Sequence, residues 1–253
     1  MTKGSTVLVG MFFIIGCAGT TPNEELSLSE RLELGMDYLD EEKYLQAQDE
    51  FSIVLMRATG TELGDDAQFF LGESYFLNKE YILAIAEYEK LTRNMGFSPF
   101  VEKARFRICE AYRLDSPKYY HDQIYTTKAL EKYQEFVDDF PNSENNGTAL
   151  GSMELLRDKL SKKLYETGIL YLKMDEYEPA RLSLQRVLDE YYDTDIVEMA
   201  HVGIIRSYCL EIDVEKARSY WTNFGGQIES EELINEAEIL IANAEEKKAK
   251  LEK

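Results

Sequence analysis

A small residue, a tyrosine three positions on, and an alanine at a set interval constrain this chain more than anything else in it. Gly35 is followed by Tyr38, then by Ala47 and Phe51. The frame returns at Gly72, Tyr75, Ala84 and Tyr88, and again at Gly168, Tyr171, Ala180 and Leu184. It returns once more at Ile205, Tyr208, Ala217 and Trp221. In these four copies the first position lies twelve residues before the alanine. A fifth copy, Cys109, Tyr112, Ala129 and Tyr133, has twenty, so eight extra residues fall near Asp115–Thr126. A unit that recurs this way cannot bury its apolar face alone and does so by stacking on its neighbours.

The frame is that of the tetratricopeptide repeat, a helix-turn-helix unit with L-G-x-x-Y on one helix and A-x-x-x-F on the next. Small residues let the two helices approach, and the aromatics fill the space this creates. Prolines are few, and no stretch alternates apolar and polar residues for long, which favours helices over strands. The alanines lie 37, 45, 51 and 37 residues apart, all beyond the ideal of about 34, so loops or helices are lengthened. "LDEEKY", "LNKEY" and "LKMDEY" read as short polar turns inside pairs. The expected fold is an all-α, tetratricopeptide-like helical solenoid. It has about five helix pairs over 30–229, then a capping helix and tail over 230–253. Ser230 is the expected N-cap of that last helix. Leu233, Ala237, Leu240, Ile241 and Ala244 form its apolar stripe.

The N-terminus reads as an export signal over 1–16, with Lys3 ahead of a short apolar run. The run is far shorter than the roughly 20 apolar residues a spanning helix needs. Ile14-Ile15-Gly16-Cys17 resembles the bacterial lipobox. That resemblance implies a diacylglyceryl group on the Cys17 sulfur, cleavage before Cys17, and acylation of the new amine by palmitate or a similar chain. Residues 17–29 would then be a lipid-anchored tether. Gly19, where a retention signal would place Asp, favours outer-membrane sorting. The competing reading is a plain secretory signal cut further on, near Cys17-Ala18-Gly19.

A formal net charge of −20 argues against nucleic acid as a partner. No C-x-x-C, H-E-x-x-H, G-x-S-x-G, Walker or Rossmann pattern is present. The expectation is therefore no enzyme, with no catalytic, cofactor-binding or metal-binding residues. Cys109 and Cys209 belong to non-adjacent repeats and are expected to be buried free thiols. His201 is expected to pack in the core, and His121 to lie in a surface insertion. Asp65-Asp66 and Asp138-Asp139 are read as helix-end charges. Tyr119, Tyr120 and Tyr125 are candidates for contact with an extended peptide.

Three stretches narrow the field. "YQEFVDDFPNSE" (133–144) closes one pair, and "MELLRDKLSKKLYETGILYLKMDEY" (153–177) opens the next with R-D-K-L. "VLDEYYDTD" (187–195) closes that pair where Y-P-D-T would be expected. Their order and spacing resemble the BamD family, lipoproteins of the bacterial β-barrel assembly machinery. The resemblance covers roughly 30–224. It implies a lipid-anchored scaffold on the periplasmic face of the outer membrane. The implied partners are BamA-like periplasmic domains, accessory lipoproteins and unfolded outer-membrane proteins. The family's arginine contact to the barrel-forming subunit falls near Arg181 or Arg186. Another tetratricopeptide lipoprotein or periplasmic coordinator, for pilus, secretin or envelope-division work, is the alternative.

Overall fold

In the computed structural model, residues 26–253 are described. Cys17, the signal over 1–16 and most of the 17–29 segment lie outside them. The first pair is α1 (Leu28–Asp40) and α2 (Tyr44–Ala58), and the second is α3 (Glu62–Leu77) and α4 (Tyr81–Asn94). The third is α5 (Val101–Asp115) and α6 (Ile124–Asp139), and the fourth is α7 (Asn146–Lys173) and α8 (Tyr177–Glu190). The fifth is α9 (Val197–Leu210) and α10 (Val214–Phe224), and α11 (Glu231–Leu251) closes the array. From α1 to α8 each helix packs mainly on those before and after it, and α11 packs more on α9 than on α10. The described residues are an all-α tetratricopeptide-like array of five pairs and a cap. The helices begin two residues before the boundary expected at residue 30. Ser27 is the N-cap of α1, and it exchanges hydrogen bonds with Glu30 in a capping box.

The repeat frame works through close packing. Ala47, Ala84, Ala129, Ala180 and Ala217 are all fully buried. A β-carbon on Gly35 would come within 2.6 Å of the Phe51 ring, and one on Gly72 within 2.6 Å of Tyr88. One on Gly168 would meet Leu184 at 2.7 Å. The missing side chain is thus the seat for the partner helix. In the fifth pair Ile205 fills that seat itself and is fully buried, while Trp221 is only partly covered.

Four turns within pairs share one main-chain design. The carbonyls of Tyr38, Tyr75, Tyr171 and Tyr208 each accept the N–H five residues on. The residue before that donor is left-handed: Glu42 (φ 58°), Lys79 (64°), Asp175 (60°) and Ile212 (63°). This is the Schellman end, usually made with glycine. Three of the turns were legible as polar runs. The fourth, at Glu211–Asp213, carries an isoleucine and was not.

α7 is the longest helix, at 28 residues, or about 42 Å. Its first half, with Ala149, Met153 and Leu156, joins the core of the second and third pairs. Its second half, with Leu164 and Tyr165, joins a separate core around Leu184, Val187 and Ile204. Between them run Arg157, Asp158, Lys159, Ser161, Lys162 and Lys163. The polar waist of α7 is a seam between two apolar blocks.

Candidate docking site

The eight-residue insertion lies against this seam. It is the α5–α6 connection, 116–123, and hydrogen bonds with a single direction hold it. Lys159 Nζ donates to Ser116 Oγ at 2.7 Å, and Ser116 meets Thr126 Oγ1 at 2.5 Å. Thr126 donates to the Gln123 side-chain oxygen at 2.7 Å. Because Thr126 donates there, Ser116 is the donor to Thr126. The buried Gln123 amide donates back to the carbonyls of Lys118 (2.9 Å) and His121 (3.0 Å). Lys163 Nζ reaches the same His121 carbonyl at 2.6 Å, and Lys162 lies 4.9 Å from the Tyr119 ring centre. Three lysines of α7 therefore fix the shape of a loop that has no secondary structure of its own.

Grooves open on both sides of that loop. The first, about 430 Å³, runs between Tyr119 and Tyr120 on the loop and Leu155 and Ile196 on α7 and before α9. The second, about 530 Å³, lies between Pro117 and His121 of the loop and Ile124 and Tyr125 of α6. Tyr120, Ile124 and Leu155 are exposed. Of the three tyrosines singled out from the sequence, Tyr119 and Tyr120 line the first groove and Tyr125 the second. Burial and the neighbouring Asp195 charge raise the Asp158 carboxyl above its ordinary range. Burial lowers the Lys159 amine, and Arg113 adds to this.

The far side of the seam is closed by an ion pair that sequence reading missed. Arg157 of the R-D-K-L stretch holds Asp193 of "YYDTD", with Nε at 3.1 and 3.0 Å from the two carboxylate oxygens. Its other nitrogen bonds the Glu190 carbonyl at 2.9 Å. Both stretches were visible, but nothing in either said that they touch.

Two buried polar clusters stiffen the array around the site. Tyr88 donates to Glu73 at 2.5 Å, and Arg107 grips the same carboxylate at 2.7 and 2.9 Å. One repeat later Tyr133 donates to Glu110, which Arg113 also holds. The glutamate follows the small position in both, as Gly72-Glu73 and Cys109-Glu110. That doublet was a readable signal, because a buried glutamate needs paired donors.

The remaining residues fall as follows. Arg181 is tied internally, to Glu211 at 2.8 Å and over the Tyr208 ring. Among the described residues Arg186 pairs with Glu190 of its own helix alone, and it is half exposed. Cys109 and Cys209 are free and buried, and His201 is buried with Nδ1 2.9 Å from the Tyr220 hydroxyl. Asp65 and Asp66 do lie near the start of α3. Asp138 and Asp139 instead lie at the C-terminal end of α6, where the helix dipole disfavours acids. Helix-end charge does not account for them: Arg105 reaches Asp139 at 2.5 Å. Among the described residues, no group of three or more His, Cys, Asp and Glu is placed to hold a metal ion, and no helix is long and apolar enough to cross a membrane.

The family described as YfiO, outer membrane lipoprotein, matches residues 25–219. Outer membrane protein assembly factor BamD of Rickettsia prowazekii is 25% identical over 198 residues, covering 76% of each chain. The protein of that name from Caulobacter vibrioides is 24% identical over 200 residues, covering 77% of this chain and 66% of its own. A solved tetratricopeptide repeat protein from Parabacteroides merdae overlays with a TM-score of 0.38 at 13% identity, over 88% of this chain and 75% of that one.

Proposed function

Because the chain belongs to the YfiO family of outer membrane lipoproteins, matched over 25–219, we propose that it is a lipid-anchored scaffold of outer-membrane β-barrel assembly. It works by binding and not by catalysis. Residues 1–16 are the signal, Cys17 carries the lipid, 17–29 are the tether, and the array beyond faces the periplasm. The barrel-forming subunit docks on the C-terminal repeats, with accessory lipoproteins and unfolded outer-membrane proteins as further partners. The observation that carries this reading is the family match together with relatives named for the assembly role.

Of the two arginines near the implied contact, Arg186 is the one we assign to the barrel-forming subunit. Arg181 is already held by Glu211 and Tyr208, whereas the Arg186 partner is an exposed neighbour on its own helix. The test is copurification of the full chain from its own membranes. The barrel-forming subunit is expected with wild type and lost with Arg186→Glu. Recovery of a secretin in its place would redirect the assignment. Mass spectrometry of the mature N-terminus is expected to find an acylated Cys17, and an unmodified, soluble chain would refute the anchor.

A further inference from the structure

The edge of the array at which the first helix begins carries a large apolar side chain that the core leaves out. Short connections make consecutive helices run in opposite directions. The start of α1 at Ser27 therefore lies at one edge with the connections between pairs, 59–61 and 95–100. Those two connections stand side by side and border one cleft of about 440 Å³. At the tip of the second is Phe97, 106% exposed and more so than any other large apolar side chain among the described residues. The loop beneath it is fixed. The Ser98 N–H donates to the Met95 carbonyl at 2.9 Å, and the Phe100 N–H to Ser98 Oγ at 3.3 Å. Ser98 is buried, Met95 packs on the main core, and Phe100 stacks on Phe69 at 4.5 Å. A turn held at both ends thus presents one bare aromatic ring. Leu26, ahead of α1, and Met56, near the end of α2, are exposed at the same edge.

We propose that Phe97 inserts into the membrane surface and turns this edge of the array toward the lipid. The inference rests on the lipid at Cys17 proposed above. Ser27 follows Cys17 by ten residues, which reach at most about 35 Å when extended. The chain leaves the array at the edge where Phe97 stands. Leu45 and Ile82, exposed near the starts of α2 and α4, lie at the opposite edge. The 13 residues of α1 put that edge about 20 Å further from the point of attachment. A lipid this close makes the second contact intramolecular, at an effective concentration on the order of millimolar. One ring then suffices to bias which edge faces the bilayer. Phenylalanine is among the side chains that settle at the boundary of headgroups and acyl chains. The lipid holds the array, and the ring orients it. Glu62 and Asp65 border the cleft beside Phe97, and the whole chain carries −20. The matching surface is therefore zwitterionic, since anionic headgroups repel this edge.

The test places an indole at the tip with Phe97→Trp and at the opposite edge with Leu45→Trp. Wild type, whose one tryptophan is Trp221, supplies the background. The chains are bound in two ways to phosphatidylcholine vesicles with bromine-labelled acyl chains. One form is the full chain held by its own N-terminus. The other carries Cys17→Ser, with a hexahistidine tag in place of residues 1–16, on nickel-chelating lipid. In both, the Phe97→Trp emission is expected to shift to the blue and lose intensity to the bromines. The Leu45→Trp emission should match that of the same chain in solution. Phosphatidylglycerol in the vesicles should reduce the effect at low salt. Both side chains are exposed, and an unchanged circular dichroism melt verifies the fold. An unquenched Phe97→Trp indole on vesicle-bound chain would overturn the proposal, as would equal quenching at the two edges. No quenching on vesicles, with the indole shielded in membranes of the producing cell, would overturn it in favour of a protein pocket. If the native form fails to bind vesicles while the tagged form is quenched, the Cys17 anchor is refuted and the insertion stands.

Discussion

Arg157 and Asp193 are 36 residues apart in sequence and joined by a forked ion pair, with the closest contact at 2.5 Å. The pair ties the waist of α7 to the connection between α8 and α9. Its side chains are 29% and 49% exposed, so its worth is that of a well-formed surface pair and no more.

Arg157→Ala is expected to lower stability by about 1 kcal/mol. The Arg157 hydrogen bonds depress the Asp193 carboxyl below its ordinary value. The contribution is therefore complete above the unfolded carboxylate pKa of about 4 and fades as pH falls through the lower folded value. Urea melts of both proteins at neutral pH and near pH 2 measure this. The difference should be present at the first and lost at the second.

Gly72→Ala should destabilise by about 1–3 kcal/mol, although alanine is the better helix former. The new methyl would lie 2.6 Å from the Tyr88 ring, and Tyr88 cannot swing away because its hydroxyl donates to Glu73, which Arg107 holds in turn. Gly147→Ala, where a β-carbon meets nothing within 4 Å, is the control. It should stabilise or be neutral. Equal melts for the two variants would refute the seat argument.

How much of this was legible beforehand follows from the range of each interaction. The Gly–Tyr–Ala–Phe frame states which faces must touch, because helix packing repeats with the backbone. It gave the pairs and the insertion, while Ser230 and the apolar stripe after it gave the cap. The capping box at Ser27 and Glu30 is as local as the Ser230 cap, but it was taken for tether. The lysine staple on 116–123 and the Arg157–Asp193 pair join residues 36 to 43 apart, and no periodicity reports such contacts. Glu73 and Glu110 each follow the small position of the frame, but the tyrosines that bind them lie 15 and 23 residues away.

Cys109 and Cys209 should be silent toward a thiol reagent in the native state. Burial raises their thiols to about 12 and about 11, and the reactive species is the thiolate. Titration of the full chain with Ellman's reagent near pH 8 is expected to find neither of them until denaturant is added. Native labelling of Cys109 would contradict its place in the core.

His201 should make the C-terminal repeats sensitive to mild acid. Burial holds its imidazole below the ordinary value, so the unfolded chain takes up a proton that the folded chain refuses. Stability then falls as pH drops below the unfolded pKa of about 6.5, and it levels off once the lower folded pKa is passed. His201→Gln should flatten the slope of stability between about pH 7.5 and 5.5. An unchanged slope would place the proton elsewhere.

Ile212→Gly is expected to stabilise by up to about 1 kcal/mol, less whatever packing the half-buried side chain supplies. A β-branched residue at a φ of 63° is strained. Calorimetric melting of the single variant tests it, and a lower melting temperature would show that packing wins.

Glutamate, lysine, aspartate and isoleucine occupy one geometric position in four turns of the same molecule. The instruction for the bend is written in main-chain hydrogen bonds to a tyrosine carbonyl, so the side chain there is free to drift. Each substitution is a small debt spread over the whole array, and none of them changes the path of the chain. A scaffold built this way can have its surface rewritten for a new partner while its frame is inherited intact.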